Sequence, residues 1–337
     1  MSVEAPHYPN AIDRIKGGLF RTRTVHKDSN KHNFFESLDS ENKQELSRLF
    51  SEATVEIIVP EKTKLNLDKV PMDSEISVTS SPSKSIEDNL KPSKELRKSG
   101  RKIKPHISAR LFENSGHIIE VMSDLQEHGF TKIFLIAGDN PDPKGVINGS
   151  LDVLMEMQRN KIQFDRVDVA GYPEGNERIS KDQRELDEIL IKKQKWAEDT
   201  GTEMNIVTQM CFDSEKVIKW IERIRKRGVT LPIIIGVPLK GISPEDLLRV
   251  AVKSGVGDSV NLIKSNGHFV LGLVKASVLA KLPIKRFKEK YDGDKFLADL
   301  VKKASDRHGI KGIHIYAFYK IGLTMEWIEK SKASLSS

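Results

Sequence analysis

A glutamate set inside an apolar run is the first feature of this sequence that could do chemistry: Glu56 interrupts Val55-Glu56-Ile57-Ile58. A carboxyl group turned into the interior of a domain is partly desolvated, so its pKa rises and it can serve as a general acid near neutral pH. Other polar residues lie within or just beyond apolar runs in the same way. They are Thr79, His106, Asp139 after Phe134-Leu135-Ile136-Ala137-Gly138, Tyr172 after Ala170-Gly171, Gln209 after Ile206-Val207-Thr208, and the cations Lys240 and Lys320. Some of these positions have plainer readings. A lone Glu in a strand is more often an outward residue, His106 reads as a satisfied core histidine, and Cys211 beside Met210 and Phe212 reads as a small apolar filler. His106, Asp139 and His314 show no ligand spacing such as H-x-x-x-H or H-x-H, so no metal site is expected.

The elements that must carry these residues alternate between short β-branched runs and amphipathic helical stretches, the signature of βαβ units and a parallel sheet. Eight runs read as strands: Thr54 to Val59, Glu75 to Thr79, Ile103 to Ala109, Lys132 to Ala137, Arg166 to Ala170, Asn205 to Thr208, Pro232 to Val237, and Gly312 to Ala317. Eight strands over this length fit an α/β fold closed as a (βα)₈ TIM barrel, whose working face lies at the C-terminal strand ends. No G-x-G-x-x-G follows the first strand, which argues against a Rossmann nucleotide site. Asp213 or Ser214 caps a helix carrying Val217, Ile218, Ile221 and Ile224 inward, and Ser243 with Pro244 opens another. The connection from Leu239 to Lys311 is the longest and should hold two or more helices. Residues 1–38 are polar, with a basic run from Arg21 to Lys27, and read as a flexible N-terminal arm ahead of a catalytic barrel over 39–333. Within the barrel segment, Ser40 to Phe50 reads as a helix closing the barrel's bottom.

Composition bounds the rest. The 337 residues are 38% hydrophobic, enough for one large core with a small appendage. A single cysteine excludes an internal disulfide framework and fits a reducing, cytoplasmic location. Neither a signal-peptide core nor an uninterrupted apolar span is present; Val260 to Leu282 is broken by Lys264, Asn266, His268 and Lys275. The net charge of +7 comes with only 6% aromatic residues and no nucleic-acid-binding motif, so the basic residues read as solvated helix faces or as a mouth that draws an anionic small substrate.

Several segments together resemble the methylenetetrahydrofolate reductase family: Val55-Glu56-Ile57, Pro105-His106-Ile107-Ser108, Gly138-Asp139-Asn140-Pro141, Ala170-Gly171-Tyr172-Pro173-Glu174-Gly175, Val207-Thr208-Gln209-Met210-Cys211-Phe212-Asp213 and Gly312-Ile313-His314-Ile315-Tyr316. The resemblance implies an FAD-containing barrel in which NADH or NADPH reduces the flavin and is replaced by methylenetetrahydrofolate, which is reduced to methyltetrahydrofolate. The reverse oxidation would use the same site within one-carbon metabolism. On this resemblance Glu56 is the acid at folate N10, Asp139 and Gln209 grip the pterin, Asp139 also tunes the flavin, and Lys320 pairs with a glutamate carboxylate of the folate tail. Thr79, His106, Ile136, Ala137, Gly138, Tyr172, Glu185 and Lys192 or Lys193 fall at flavin-contact positions. Ala137 and Asn176 stand where the family often has Arg and His, Glu185 where Asp is common, and Phe318-Tyr319-Lys320 where Leu-Asn-Arg is found. Those departures keep alternatives open: a folate-binding barrel with flavin-free reduction or methyl transfer, or a non-catalytic partner subunit. Self-association into a homo-oligomer is also left open.

Overall fold

Outward-facing β-branched residues alternate along the strands with inward-facing ones, some polar and some apolar, a period of two that suits a sheet covered on both faces. The computed structural model describes residues 34–59, 65–138, 143–176, 179–180, 182–240 and 291–336. Its eight strands are β1 (Thr54–Ile57), β2 (Glu75–Val78), β3 (Lys102–Ser108), β4 (Lys132–Ile136), β5 (Arg166–Gly171), β6 (Ile206–Met210), β7 (Ile233–Pro238) and β8 (Ile310–Phe318). They close in chain order into one barrel, with every neighbouring pair parallel and β8 returning to β1. Val55, Ile57, Ile76, Ile107, Ile133, Leu135, Val167, Val169, Ile233, Ile235, Ile313 and Ile315 all join the main core outside the barrel wall. Phe134, Ala170, Val207 and Ile234 form a separate apolar cluster. They come from β4 to β7 and alternate with the wall residues, so this cluster fills one side of the interior.

The described α-helices are α1 (Ser40–Ser51), α2 (Ile86–Lys98), α3 (Ser115–Glu127), α4 (Ser150–Arg159), α5 (Gln183–Thr200), α6 (Ser214–Lys226), α7 (Gly293–Lys303) and α8 (Ile321–Leu335). α6 shows why such segments are helical. The Asp213 carboxylate accepts from the amides of Glu215 and Lys216, Val217, Ile218, Ile221 and Ile224 are buried, and Arg223, Arg225 and Lys226 meet the C-terminal dipole. In α1, Leu46, Leu49 and Phe50 are buried, and Phe50 meets the Trp327 ring of α8 edge-on at 5.6 Å. Arg48 donates to the carbonyls of Ile310 and Lys311, which places α1 beside the N-terminal end of β8. The compact unit starts at Phe34, and Phe35 and Leu38 are buried in its core, so the packed body takes in residues that the sequence pattern assigns to the arm. Ser243, Pro244 and the stretch from Val260 to Leu282 lie outside the described residues. No described helix is long and apolar enough to cross a membrane.

Gly236 on β7 is a close-approach position. A Cβ there would sit 2.5 Å from the carbonyl oxygens of both Thr208 and Gln209 and 2.8 Å from the Tyr316 ring, so backbone rather than a flexible side chain would have to move. Gly236→Ala is expected to lower the unfolding free energy by about 1–3 kcal/mol through overpacking. Thermal melts followed by circular dichroism check this, and an unchanged midpoint would show that the β6–β7 pair yields freely.

Candidate active site

Because the strands are parallel, residue order along each one sets its level in the barrel, and the lowest interior level is charged. Lys104 of β3 is fully buried; its ammonium lies 2.6 Å from Asp168 of β5 and 2.9 Å from Glu75 of β2. Arg166 of β5 donates to both Glu75 oxygens at 2.6 Å and lies 3.2 Å from Asp168 Oδ1, the oxygen that also accepts from Asn205 at 2.8 Å. Burial alone would push Lys104 down, but Asp168 and Glu75 hold its pKa above the ordinary lysine value. Glu75 would likewise be raised by burial, and Lys104 and Arg166 instead bring it down to about 2. This level is a plug of mutually neutralised charges.

Two residues further along the strands lies the group that can move a proton. The Glu56 carboxyl is buried, with Oε2 2.8 Å from His314 Nε2 and 3.5 Å from His106 Nε2. His106 Nε2 is also 2.8 Å from the Ser77 hydroxyl, and its ring meets Phe134 edge-on at 4.5 Å. Burial raises the Glu56 pKa to about 7, against the opposing pull of His106 and Lys104. Burial also lowers His106 to about 4 and His314 to about 3, so both rings are neutral at physiological pH. His314 Nδ1 is buried with no hydrogen-bond partner among the described residues. A bare lone pair is cheaper to bury than an orphan N–H, so the favoured tautomer has Nε2–H donating to Glu56. That arrangement leaves the carboxyl proton on the other Glu56 oxygen, Oε1. The three donor atoms converge from β1, β3 and β8, far apart in sequence, so the spacing argument against a metal set does not bear on this cluster.

Beyond this level lie the C-terminal strand ends. Tyr316 spans from β8 to donate to the Thr208 carbonyl at 3.0 Å. Gln209 lies inside β6 rather than after it; its Nε2 donates to the Gly175 carbonyl, while Oε1 is buried without a partner among the described residues. Half-buried Ile136 and Tyr172 pack on the inner apolar cluster, and Gly138, two residues past Ile136, has a φ of +94° that suits glycine. Strand register shifts fall next to Glu56 on β1 and around Gln209 on β6, as bulges at working sites commonly do. Phe318 ends β8 with φ at +53°, a strained backbone for a phenylalanine.

The remaining residues singled out in the sequence scatter more widely. Thr79 follows β2, its amide donating to the Ile57 carbonyl, and Ala137 is buried just after β4. Glu185 is exposed in the first turn of α5, where the Ser180 hydroxyl donates to it at 2.5 Å. Lys192 is exposed on α5, whereas Lys193 is buried and pushed down to about 8 by that burial. Lys240 pairs with Asp294, and Lys320 precedes α8. Asp139 lies outside the described residues. Cys211 is buried and its thiol pushed far up by burial, which removes it as a nucleophile. Ser77, Lys104, Asp168 and Tyr316 were not marked as site residues by sequence. Their signal is a polar side chain two positions from another on an inward strand face, visible only once the inward face is known.

Residues 104–256 match the family described as methylenetetrahydrofolate reductase. Among curated relatives, the chain is 38% identical over 91 residues to methylenetetrahydrofolate reductase 1 of Schizosaccharomyces pombe, covering 27% of this chain and 14% of that protein. It is 25% identical over 248 residues to methylenetetrahydrofolate reductase (NADH) 1 of Arabidopsis thaliana, covering 66% of this chain and 38% of that protein. The chain thus spans well under half the length of either relative. Among solved structures, a protein described as a phosphonomutase from Burkholderia cenocepacia J2315 aligns over 87% of this chain and 98% of its own, at 8% identity and a TM-score of 0.39.

Proposed function

We propose that this chain, whose residues 104–256 match the methylenetetrahydrofolate reductase family, reduces methylenetetrahydrofolate to methyltetrahydrofolate at the C-terminal face of its barrel, with NADH or NADPH as the electron source and FAD as carrier. The observation that carries the reading is the buried Glu56 carboxyl, raised to about 7 and held by a neutral His314. Opening the five-membered ring of the folate requires a proton at N10. An acid with a pKa near the working pH is still protonated there and strong enough to give the proton up.

The rim residues fit the other demands. A bound flavin would supply hydride to the one-carbon unit. Ile136 and Tyr172, packed on the inner apolar cluster, suit a flat, largely apolar ring. The partnerless Gln209 Oε1 is an acceptor for an N–H on the pterin edge, and Lys320 offers a point charge to a folate carboxylate. His106 is turned inward toward Glu56 and Ser77, so its part in this reading is to hold the acid rather than to touch the cofactor.

The test is direct. The purified protein should be yellow, NADH or NADPH should bleach it, and methylenetetrahydrofolate should restore the colour. A colourless protein that binds folate would replace this reading with flavin-free chemistry. A pH profile adds a sign. Reduction of the folate needs protonated Glu56, so its rate should be flat below pH 7 and fall about tenfold per unit above it, while oxidation of methyltetrahydrofolate should rise through the same midpoint. Profiles in which both directions move together would separate Glu56 from the proton transfer.

A further inference from the structure

The charge plug has a feature that a purely structural ion network does not require: it lies directly beneath the proposed acid. We propose that Lys104 is a positioning residue that sets the acidity of Glu56 from below, with Asp168 and Glu75 as its counterweights. Lys104 and His106 are two apart on β3 and point to the same interior face, and the Ser77 hydroxyl links the levels by bonding His106 while lying 3.4 Å from the Lys104 carbonyl. The Lys104 ammonium is 5.9 Å from the centre of the Phe134 ring, and that ring packs on both His106 and His314.

The groups that interact with Glu56 are His106 and Lys104 from β3 and His314 and Tyr316 from β8, and Lys104 is in turn held by Glu75 of β2 and Asp168 of β5, with Arg166 of β5 between those two carboxylates. Lys132 of β4 reaches the plug only at its edge, 3.9 Å from Glu75. The histidines are neutral and Tyr316 stays protonated, burial and the neighbouring Glu56 holding it well above its ordinary value. The fixed charges that remain are two cations, Lys104 and Arg166, against two anions, Glu75 and Asp168. Lys104 favours the ionised form of Glu56, and Lys104, Asp168 and Glu75 all act on His314, so the plug's field reaches the acid pair. Inside a low-dielectric barrel one uncompensated charge on the neighbouring interior level is felt strongly. Removing a cation leaves the plug net negative and should hold the proton on Glu56 to higher pH. Removing an anion leaves it net positive and should release that proton at lower pH.

This inference rests on Glu56 being the proposed acid, but its test does not need turnover. Infrared difference titration reads the protonated carboxyl band, assigned to Glu56 by its absence in Glu56→Gln. Lys104→Met should raise the Glu56 midpoint by about one pH unit and Asp168→Asn should lower it by about as much. Opposite shifts support the proposal, because generic loosening of the barrel would move both variants the same way. Shifts of one sign, or none, overturn it. Circular dichroism confirms that each variant is folded. If either interior substitution prevents folding, Glu75→Gln at the half-buried edge of the plug decides, with a downward shift expected and an unchanged midpoint fatal to the proposal. Failure of the reductase reading would show separately, as a flavin that NADH and NADPH do not bleach or that is absent, with the shifted midpoints intact.

Discussion

Glu56→Gln is expected to reduce folate turnover by about 10²–10⁴-fold, the usual worth of a positioned general acid, while NAD(P)H still reduces the flavin within a few-fold of the wild-type rate. The substitution keeps size and shape, and the Gln carbonyl can still accept the hydrogen bond that His314 Nε2 now gives to Glu56 at 2.8 Å. Packing around the cluster is therefore retained. What disappears is the proton, since an amide cannot supply one to folate N10. Stopped-flow measurement of the two half-reactions checks this. Equal loss in both would mean that the change damaged the cofactor site, and the acid role of Glu56 would be withdrawn.

The largest effect on stability is expected at the plug. Asp168→Ala should cost about 3–5 kcal/mol, because it strips a fully buried ammonium and a mostly buried guanidinium of a shared partner. The magnitude comes from stranding charge rather than from the intrinsic worth of an ion pair. A double replacement shows the difference: Lys104→Met with Asp168→Leu removes both buried charges, leaves Arg166 paired with Glu75, and should recover most of the lost stability. Denaturant melts of Lys104→Met, Asp168→Leu and the double variant form the cycle. A double variant as unstable as the sum of the singles would show that the plug's volume, not its charge balance, holds the bottom of the barrel.

Much of the architecture was legible locally. Strand starts and ends fall within two residues of the periodic runs, as with β1 beginning at Thr54 and β4 beginning at Lys132, because alternation of β-branched and polar residues is a local property. The helix beginning at Ser214 was equally plain, since its cap, apolar face and basic end all lie within its own segment. Gln209 was placed after its strand and is found within it. The bulge between Val207 and Met210 carries β6 further than its apolar run suggested, and pairing with β7 rather than side-chain pattern determines that. Glu56 stood out because a carboxylate in an apolar run is costly unless something uses it.

By itself, then, the sequence determined the strand count, the alternation that buries both faces of the sheet, and the candidate acid with its rim of polar partners. Only the tertiary structure decided what surrounds that acid. Glu56 and His314 are 258 positions apart, and Lys104 and Asp168 are 64 apart. No periodicity links such residues, because the contact arises from barrel closure, which brings β8 beside β1 and turns alternate side chains into one shared interior. Desolvation in that interior raises Glu56, lowers both histidines and makes the plug's charges matter to them. Acidity is a property of that enclosure, and it exists only once the barrel has closed.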